Sequence, residues 1–201
     1  MKKSTIFEET YNKYLSHIND IDLLPRAERL GAELAGDALI IPYYGKPFRV
    51  SIGGVFDETG KRANFAISVV LFQYVFSCPA EISIAGDWVT YRELKDAGPL
   101  AGYFISNSNK IIETTFVGNP EALQYACKRL GGRLLDDDLS WDLSVAFDIL
   151  PRIPIRLRFN DKDDEFPAQC SILFRESAES YIDMESLSIG GTYLIGMLTK
   201  E

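Results

Sequence analysis

Histidine is almost absent from this chain of 201 residues, which contains a single one, His17. Every nucleophile that relies on an imidazole base would have to be arranged around it. His17 lies on the polar side of a predicted N-terminal helix, so we predict that it is a surface residue. A transition metal held by several imidazoles is excluded by the same shortage. The sequence therefore indicates no catalytic residue.

Cysteine is scarce and widely spaced, since Cys78, Cys127 and Cys170 form no CxxC pair. This spacing argues against a zinc or iron–sulfur site built from neighbouring cysteines. Three cysteines without a disulfide framework are typical of a reducing cytoplasm. The glycines do not match the Walker or dinucleotide fingerprints either. We therefore predict no cofactor and a cytoplasmic location.

Basic charge and long apolar runs are also lacking. The 21 Lys and Arg residues are outnumbered by 29 Asp and Glu residues, which gives a net charge of −8. An acidic surface is unsuited to binding nucleic acid or an anionic membrane. The longest apolar run, 65–78, is interrupted by polar residues and is shorter than the roughly 20 residues that span a bilayer. The N-terminus has no apolar signal-peptide core. We therefore predict a soluble acidic protein with neither a nucleic-acid nor a membrane partner.

Helices are predicted where apolar residues recur at helical spacing next to capping residues. Asn64 is placed to begin a helix that is apolar nearly all round, and Asp183 is placed to begin the last one. Pro25 and Gly36 are placed to begin and end the second. The predicted helices cover residues 5–18, 25–35, 64–77, 99–116, 120–130 and 183–198.

Strands are predicted where the period changes to two, which happens from Trp141 onward. Apolar residues alternate over 141–149, 155–159 and 170–174, which predicts an antiparallel three-stranded meander. Two shorter strands, 38–41 and 48–52, flank a turn bracketed by prolines. We predict one α+β domain over residues 1–201, with a mostly antiparallel sheet, a C-terminal three-stranded meander and packed helices.

The densest charge cluster lies between the last two strands of the meander. Asp161, Asp163, Asp164 and Glu165 are candidate ligands for Ca²⁺ or Mg²⁺, because hard cations favour several oxygen ligands from a flexible loop. Asp136–Asp138 would add carboxylates if the fold brought them near. The alternative is a solvated turn in which aspartates bond the local backbone.

Three further groups of residues allow two interpretations each. Arg152, Arg156 and Arg158 form either an anion site or, for the last two, cross-strand pairs with Asp142 and Asp148. The glycine pair Gly190-Gly191 in the last helix predicts close packing, within the chain or at a subunit interface. Aromatic residues line either a ligand cleft or the core: Tyr43, Tyr44, Trp88, Tyr91 and Tyr103.

Several segments resemble a domain-of-unknown-function family that occurs mainly in anaerobic bacteria. They are Gly31-Ala32-Glu33, IPYYGKPFRV at 41–50, GDWVTYREL at 86–94, and the proline-bracketed LPRIPIRLRFNDKDDEFPAQCSILF at 150–174 followed by Ser177-Ala178 and Tyr181. Longer members of that family carry a cysteine-rich iron–sulfur segment of the kind found in corrinoid proteins. This chain lacks those cysteines, so the resemblance implies a partnership with such proteins rather than a cluster of its own.

The absence of a catalytic constellation favours a non-enzymatic binding or accessory domain with a protein or small-molecule partner. The resemblance implies a link to anaerobic redox or corrinoid and one-carbon metabolism. The alternative is a divalent-cation-dependent enzyme that uses Asp161, Asp163, Asp164 and Glu165 as ligands. A third hypothesis is a structural subunit that self-associates through the last helix.

Overall fold

The computed structural model describes residues 2–136 and 140–200, which form helices packed on two antiparallel sheets. The predicted α+β class is confirmed. Two short 3₁₀ helices, Tyr91–Glu93 and Glu176–Ser180, complete the helical part. The α-helices are α1 Lys2–Asn19, α2 Leu24–Leu30, α3 Phe65–Phe76, α4 Gly98–Asn107, α5 Asn109–Phe116, α6 Pro120–Arg129 and α7 Met184–Leu198.

The first sheet has four strands in sequence order: β1 Glu33–Ala35, β2 Ala38–Tyr43, β3 Lys46–Ser51 and β4 Gly54–Asp57. The hairpin between β2 and β3 is tighter than predicted, because Pro42 and Pro47 lie inside the strands, opposite each other. The turn consists of Tyr44 and Gly45, whose φ angles of 49° and 74° are those of a type I′ turn.

The second sheet has the strand order β5-β9-β8-β7-β6, and all its pairs are antiparallel. The predicted C-terminal meander is confirmed as β7, β8 and β9, while β5 and β6 form the two edges. The strands are β5 Trp88–Thr90, β6 Arg133–Leu134, β7 Leu143–Leu150, β8 Ile153–Asn160 and β9 Gln169–Arg175.

The helix predictions are mostly confirmed, with two corrections. Helix α2 ends at Leu30, because Gly31 takes a left-handed φ of 65°, and Gly36 instead turns the chain from β1 into β2. The segment predicted as one helix over 99–116 is broken at Ser108, whose hydroxyl donates to the carbonyl of Phe104.

Side-chain caps define the starts of three helices. The side chains of Asn64, Asn119 and Asp183 accept hydrogen bonds from the backbone N–H groups of α3, α6 and α7. These caps confirm the predicted starts of α3, α6 and α7.

One hydrophobic core joins the two sheets through α3 and α7. Gly190 and Gly191 of α7 are buried, and a Cβ on Gly191 would lie 2.7 Å from the ring of Phe104. A Cβ on Gly190 would lie 3.2 Å from Ile149. The glycine pair thus serves packing within the chain. The boundaries 1–201 for a single domain stay a prediction.

Among residues 2–136 and 140–200, no helix combines the length and apolar character needed to cross a membrane.

Candidate binding cleft

A cleft of about 690 Å³ opens where the β2–β3 hairpin of the first sheet meets β7 of the second. Four segments line it: the hairpin turn, the loop from α6 to β6, the end of β7 and the last turns of α7. The lining residues are Pro42, Tyr44, Gly45, Lys46, Arg129, Leu130, Gly131, Arg133, Phe147, Asp148, Leu150, Pro151 and Met197.

Two hydrogen bonds fix the hairpin tip against the rest of the chain. The hydroxyl of Tyr44 donates to the carbonyl of Gly190 at 2.9 Å, and its backbone N–H donates to the carbonyl of Ile149 at 3.0 Å. The Ile149 carbonyl is available because the β7–β8 ladder shifts register between Asp148 and Leu150. Tyr44 is thereby held at a positive φ, which costs a non-glycine residue about 1–2 kcal/mol. Strained residues of this kind concentrate at functional sites.

The floor of the cleft is apolar. Phe147 and Leu150 lie on it and are almost completely buried, and Met197 of α7 lies beside them. The α6–β6 turn presses onto this floor, because a Cβ on Gly132 would lie 2.8 Å from the Phe147 ring. An organic group in the cleft would therefore contact hydrocarbon rather than backbone polar groups.

Four charged side chains line the cleft, and three of them are cations. Arg133 binds Asp148 through two hydrogen bonds of 2.7 and 3.2 Å, which raise the pKa of Arg133 above its usual value. Arg129 donates to the carbonyl of Lys200 at 2.8 Å. Among the residues described, no carboxylate lies within ion-pair distance of Lys46 or Arg129. The lining thus carries two positive charges in excess, although the whole chain is acidic.

A tyrosine cluster lies beside the cleft. The rings of Tyr43 and Tyr44 are 5.1 Å apart, and Tyr193 lies 5.3 Å from Tyr43. Burial raises the pKa of both Tyr43 and Tyr44, so their phenols stay protonated at neutral pH. The Tyr43 hydroxyl is buried and has no hydrogen-bond partner within the described part of the chain.

The five aromatic residues predicted to line either a cleft or the core are divided by the structure. Tyr44 lines the cleft, whereas Tyr43 and Tyr91 are buried in the core. Trp88 is half-buried, and Tyr103 is exposed. Of the five, only Tyr44 therefore contributes to a site.

The acidic turn lies elsewhere, between β8 and β9, and its carboxylates bond local backbone groups. Asp161 Oδ1 accepts from the N–H of Gly118 at 2.7 Å and from the N–H of Lys162 at 2.8 Å. Asp163 Oδ1 accepts from the N–H groups of Phe166 and Glu165, and these bonds lower the pKa of Asp163. This arrangement is that of a turn stabilised by its own side chains.

A metal site at Asp161, Asp163, Asp164 and Glu165 stays a prediction. The described residues contain no group of three or more His, Cys, Asp or Glu side chains placed to hold a metal ion. Asp137 and Asp138, proposed as further ligands, lie outside the described residues.

The predicted arginine pairs are wrong. The β7–β8 register places Arg156 opposite Ala146 and Arg158 opposite Ser144, while Asp148 binds Arg133. Asp142 accepts from the backbone N–H of Asp161 instead.

The three arginines do not gather into one anion site either. Arg156 lies 4.6 Å from the ring of Trp88, which Arg175 also approaches. Arg152 reaches the C-terminal end of α2, where it donates to the carbonyls of Glu28 and Arg29. His17 is exposed and stacks on Phe76, which confirms the prediction that it lies at the surface.

Sequence reasoning missed the cations of the cleft. Lys46 belongs to the hairpin, whereas Arg129 and Arg133 flank the α6–β6 loop, and neither spacing nor charge density singles them out. The nearest signal is the Tyr43-Tyr44-Gly45-Lys46 run, which marks the hairpin but not its partners.

Comparison with known proteins gives a family but no function. A family model described as "Domain of unknown function (DUF3786)" matches residues 22–197. No curated protein and no solved structure matches the chain. All the lining residues of the cleft fall within the matched range, whereas α1 precedes it.

Proposed function

The chain belongs to the family described as "Domain of unknown function (DUF3786)". For this member of the family, we propose a non-enzymatic domain that binds a small molecule in its cleft. The observation that carries the proposal is the cleft itself, with its apolar floor and few charged groups. Its volume of about 690 Å³ lies within the roughly 300–1,000 Å³ of small-molecule sites.

The chemistry of the lining favours binding over catalysis. General acid–base catalysis needs a group that exchanges protons near the working pH. The one carboxylate of the lining, Asp148, is bound to Arg133, and burial raises the pKa of the Tyr44 phenol. The remaining charged groups are the cations Lys46 and Arg129, which suit recognition of a ligand.

A thermal-shift screen tests the proposal. The protein is heated with a panel of small metabolites, including amino acids, hydroxy and keto acids, sugar phosphates and nucleotides. A ligand at about 100 times its Kd stabilises the folded state by roughly 2.7 kcal/mol, which raises Tm by several degrees. We expect at least one compound to do so. A panel that leaves Tm unchanged throughout would contradict the proposal.

A blocking variant locates the site. Met197→Trp places a bulky indole ring on the floor of the cleft and is expected to abolish the ligand-induced rise in Tm. Val117→Trp adds the same ring at an exposed position outside the cleft and is expected to keep it. A shift that survives Met197→Trp would place the ligand elsewhere. Prolonged incubation with the bound compound, followed by NMR, tests the absence of catalysis, because conversion lost in Met197→Trp would identify an enzyme.

The sequence resemblance supports a more specific context for this role. It implies a cytoplasmic accessory function in anaerobic redox or corrinoid and one-carbon metabolism, with a partner protein that supplies the iron–sulfur chemistry. The three scattered cysteines of this chain are consistent with a cluster that belongs to the partner, because Cys127 and Cys170 are buried in the core.

The second candidate function is a divalent-cation-dependent enzyme that uses Asp161, Asp163, Asp164 and Glu165. The observation that favours it is the acidic turn itself, in which these four carboxylates lie within five consecutive residues. Titration calorimetry with Ca²⁺, Mg²⁺ and Mn²⁺ tests it. Saturable heat lost in both Asp163→Ala and Asp164→Ala would support it, and no heat at millimolar metal would remove it.

A further inference from the structure

We propose that the ligand of the cleft is a small organic anion, a carboxylate or a phosphate ester with an apolar body. This inference rests on the proposed function, because it names the chemical class that the same cleft accepts. It depends on three features of the lining: the sign of its charge, the pairing of its one carboxylate and the nature of its floor.

The charge of the lining selects an anion. Lys46, Arg129 and Arg133 face the cleft together with the single carboxylate of Asp148. The chain as a whole has a net charge of −8 and repels anions, so this local excess of positive charge is a distinct feature. Clefts lined by one sign of charge raise the local concentration of ligands of the opposite sign.

The cations differ in how firmly they are held. Asp148 fixes the guanidinium of Arg133 by two hydrogen bonds, whereas Lys46 is exposed at the start of β3. Arg129 stands at the C-terminal end of α6, where the helix dipole favours a cation. Asp148 engages Arg133, so an acidic head group can contact Lys46 or Arg129 without breaking that ion pair.

The floor selects an organic molecule rather than an inorganic ion. Met197 and the partly exposed rings of Pro42 and Pro151 would stay in contact with water if only a phosphate or sulfate were bound. Covering apolar surface contributes roughly 25 cal/mol per Å², so a hydrocarbon body adds affinity that a bare ion lacks. A cation or a neutral polar molecule would leave Lys46 and Arg129 without a counter-charge.

Calorimetric titration with three phenyl-bearing probes tests the class of ligand. 4-Phenylbutyrate carries a carboxylate, phenyl phosphate carries a phosphate ester, and 4-phenylbutyramide is neutral. We expect one or both acids to bind about tenfold or more tightly than the amide, because each gains charge-assisted hydrogen bonds. The tighter acid identifies the head group. The advantage of the acids should shrink at high salt, because the cations are partly exposed.

Charge variants test the residues. Lys46→Gln/Arg129→Gln is expected to remove the preference for the acids while leaving the affinity for the amide unchanged, which also shows that the cleft is still folded. Lys95→Gln/Lys162→Gln removes the same charge at exposed positions outside the cleft and should keep the preference.

The outcomes separate this inference from the proposed function. Amide binding as tight as acid binding, or a preference that survives Lys46→Gln/Arg129→Gln, would overturn the anion class and leave the binding domain standing. Failure of all three probes to bind the unaltered protein at millimolar concentration would also overturn the ligand class, and the thermal-shift panel alone would then decide whether the cleft binds a small molecule.

Discussion

The tight turn at Tyr44-Gly45 and the acidic turn at residues 161–168 both connect neighbouring antiparallel strands, but they are stabilised in opposite ways. The acidic turn bonds its own backbone and nearby loops through the carboxylates of Asp161 and Asp163. The tight turn carries no charge. It is held by contacts with Ile149 and Gly190, which are distant in sequence.

This difference shows that a dense cluster of charged residues in the sequence does not mark the place where a binding site forms. Asp163 and its neighbours form the densest charge cluster of the sequence, yet their bonds are those of a solvated turn. The cleft has few charges, but contacts between segments that are distant in sequence bring them to one place. Four segments converge there, and the apolar floor excludes water from beneath them.

The largest expected effect comes from the backbone of the tight turn. Gly45 has a φ of 74°, where a β-branched residue is strained, and nothing lies within 4 Å of a Cβ built there. Gly45→Val should therefore destabilise the protein by about 2 kcal/mol through backbone strain alone. Urea unfolding measures the change.

The matched control lies in the acidic turn. Lys162→Val is exposed and outside the positive-φ positions, so its effect should stay within about 0.5 kcal/mol. Equal losses for Gly45→Val and Lys162→Val would contradict the difference between the two turns.

A smaller effect, on affinity rather than stability, is expected at Asp148. Asp148→Asn removes the one carboxylate of the cleft lining and frees Arg133, so an organic anion should bind severalfold more tightly. The ion pair is about half exposed, which limits the loss of stability to about 1 kcal/mol.

Asp37 provides the control for Asp148. Asp37→Asn breaks the exposed pair with Arg49 outside the cleft and should leave the affinity for the anion unchanged. Weaker anion binding in Asp148→Asn would show that the carboxylate positions Arg133 for the ligand rather than competing with it.

The smallest effect is a pH dependence of stability that arises in the acidic turn. Hydrogen bonds from Phe166 and Glu165 lower the pKa of Asp163 below its ordinary value of 3.8. The stabilisation is fully present above that value and is lost as the pH falls through the lower pKa of the folded state. Tm should therefore fall less steeply on acidification in Asp163→Asn than in the unaltered protein.

Asp164→Asn removes the same charge from the next residue but leaves the bonds of Asp163 intact. In Asp164→Asn, Tm should therefore fall on acidification as steeply as in the unaltered protein. Thermal scans between neutral and strongly acidic pH distinguish the two variants, and identical profiles would remove the assigned role of Asp163.

Most of the fold can be predicted from local signals, because periodicity and capping residues act over short distances. The alternation over 141–174 and the caps Asn64 and Asp183 identify the meander, α3 and α7. The break at Ser108 carries neither proline nor glycine, and its one signal is the Ser-Asn-Ser-Asn run at 106–109, which the apolar periodicity on either side outweighs. The prolines around 42–47 indicate a longer turn than the chain forms, because they pair across the hairpin instead.

The site cannot be predicted in this way. Its residues run from 42 to 197 in sequence, and Tyr44 reaches its position in the cleft through hydrogen bonds to Ile149 and Gly190. Packing and a β-bulge in another sheet decide this geometry. The acidic cluster is visible in the sequence because its residues are contiguous, but their hydrogen-bond partners depend on the turn conformation.

The pairing of edge strand β5 has a consequence for the order of folding. Each strand of the first sheet pairs with the next in sequence, whereas Trp88 pairs with Arg175. Contacts between residues far apart in the chain must first overcome the entropy of loop closure. The strand pairs of the first sheet can therefore form while the rest of the chain is still extended, whereas Tyr44 of the tight turn gains its hydrogen bonds only when Ile149 and Gly190 reach it. Strand β5, with Trp88 beneath its arginines, docks only after β9 is in place.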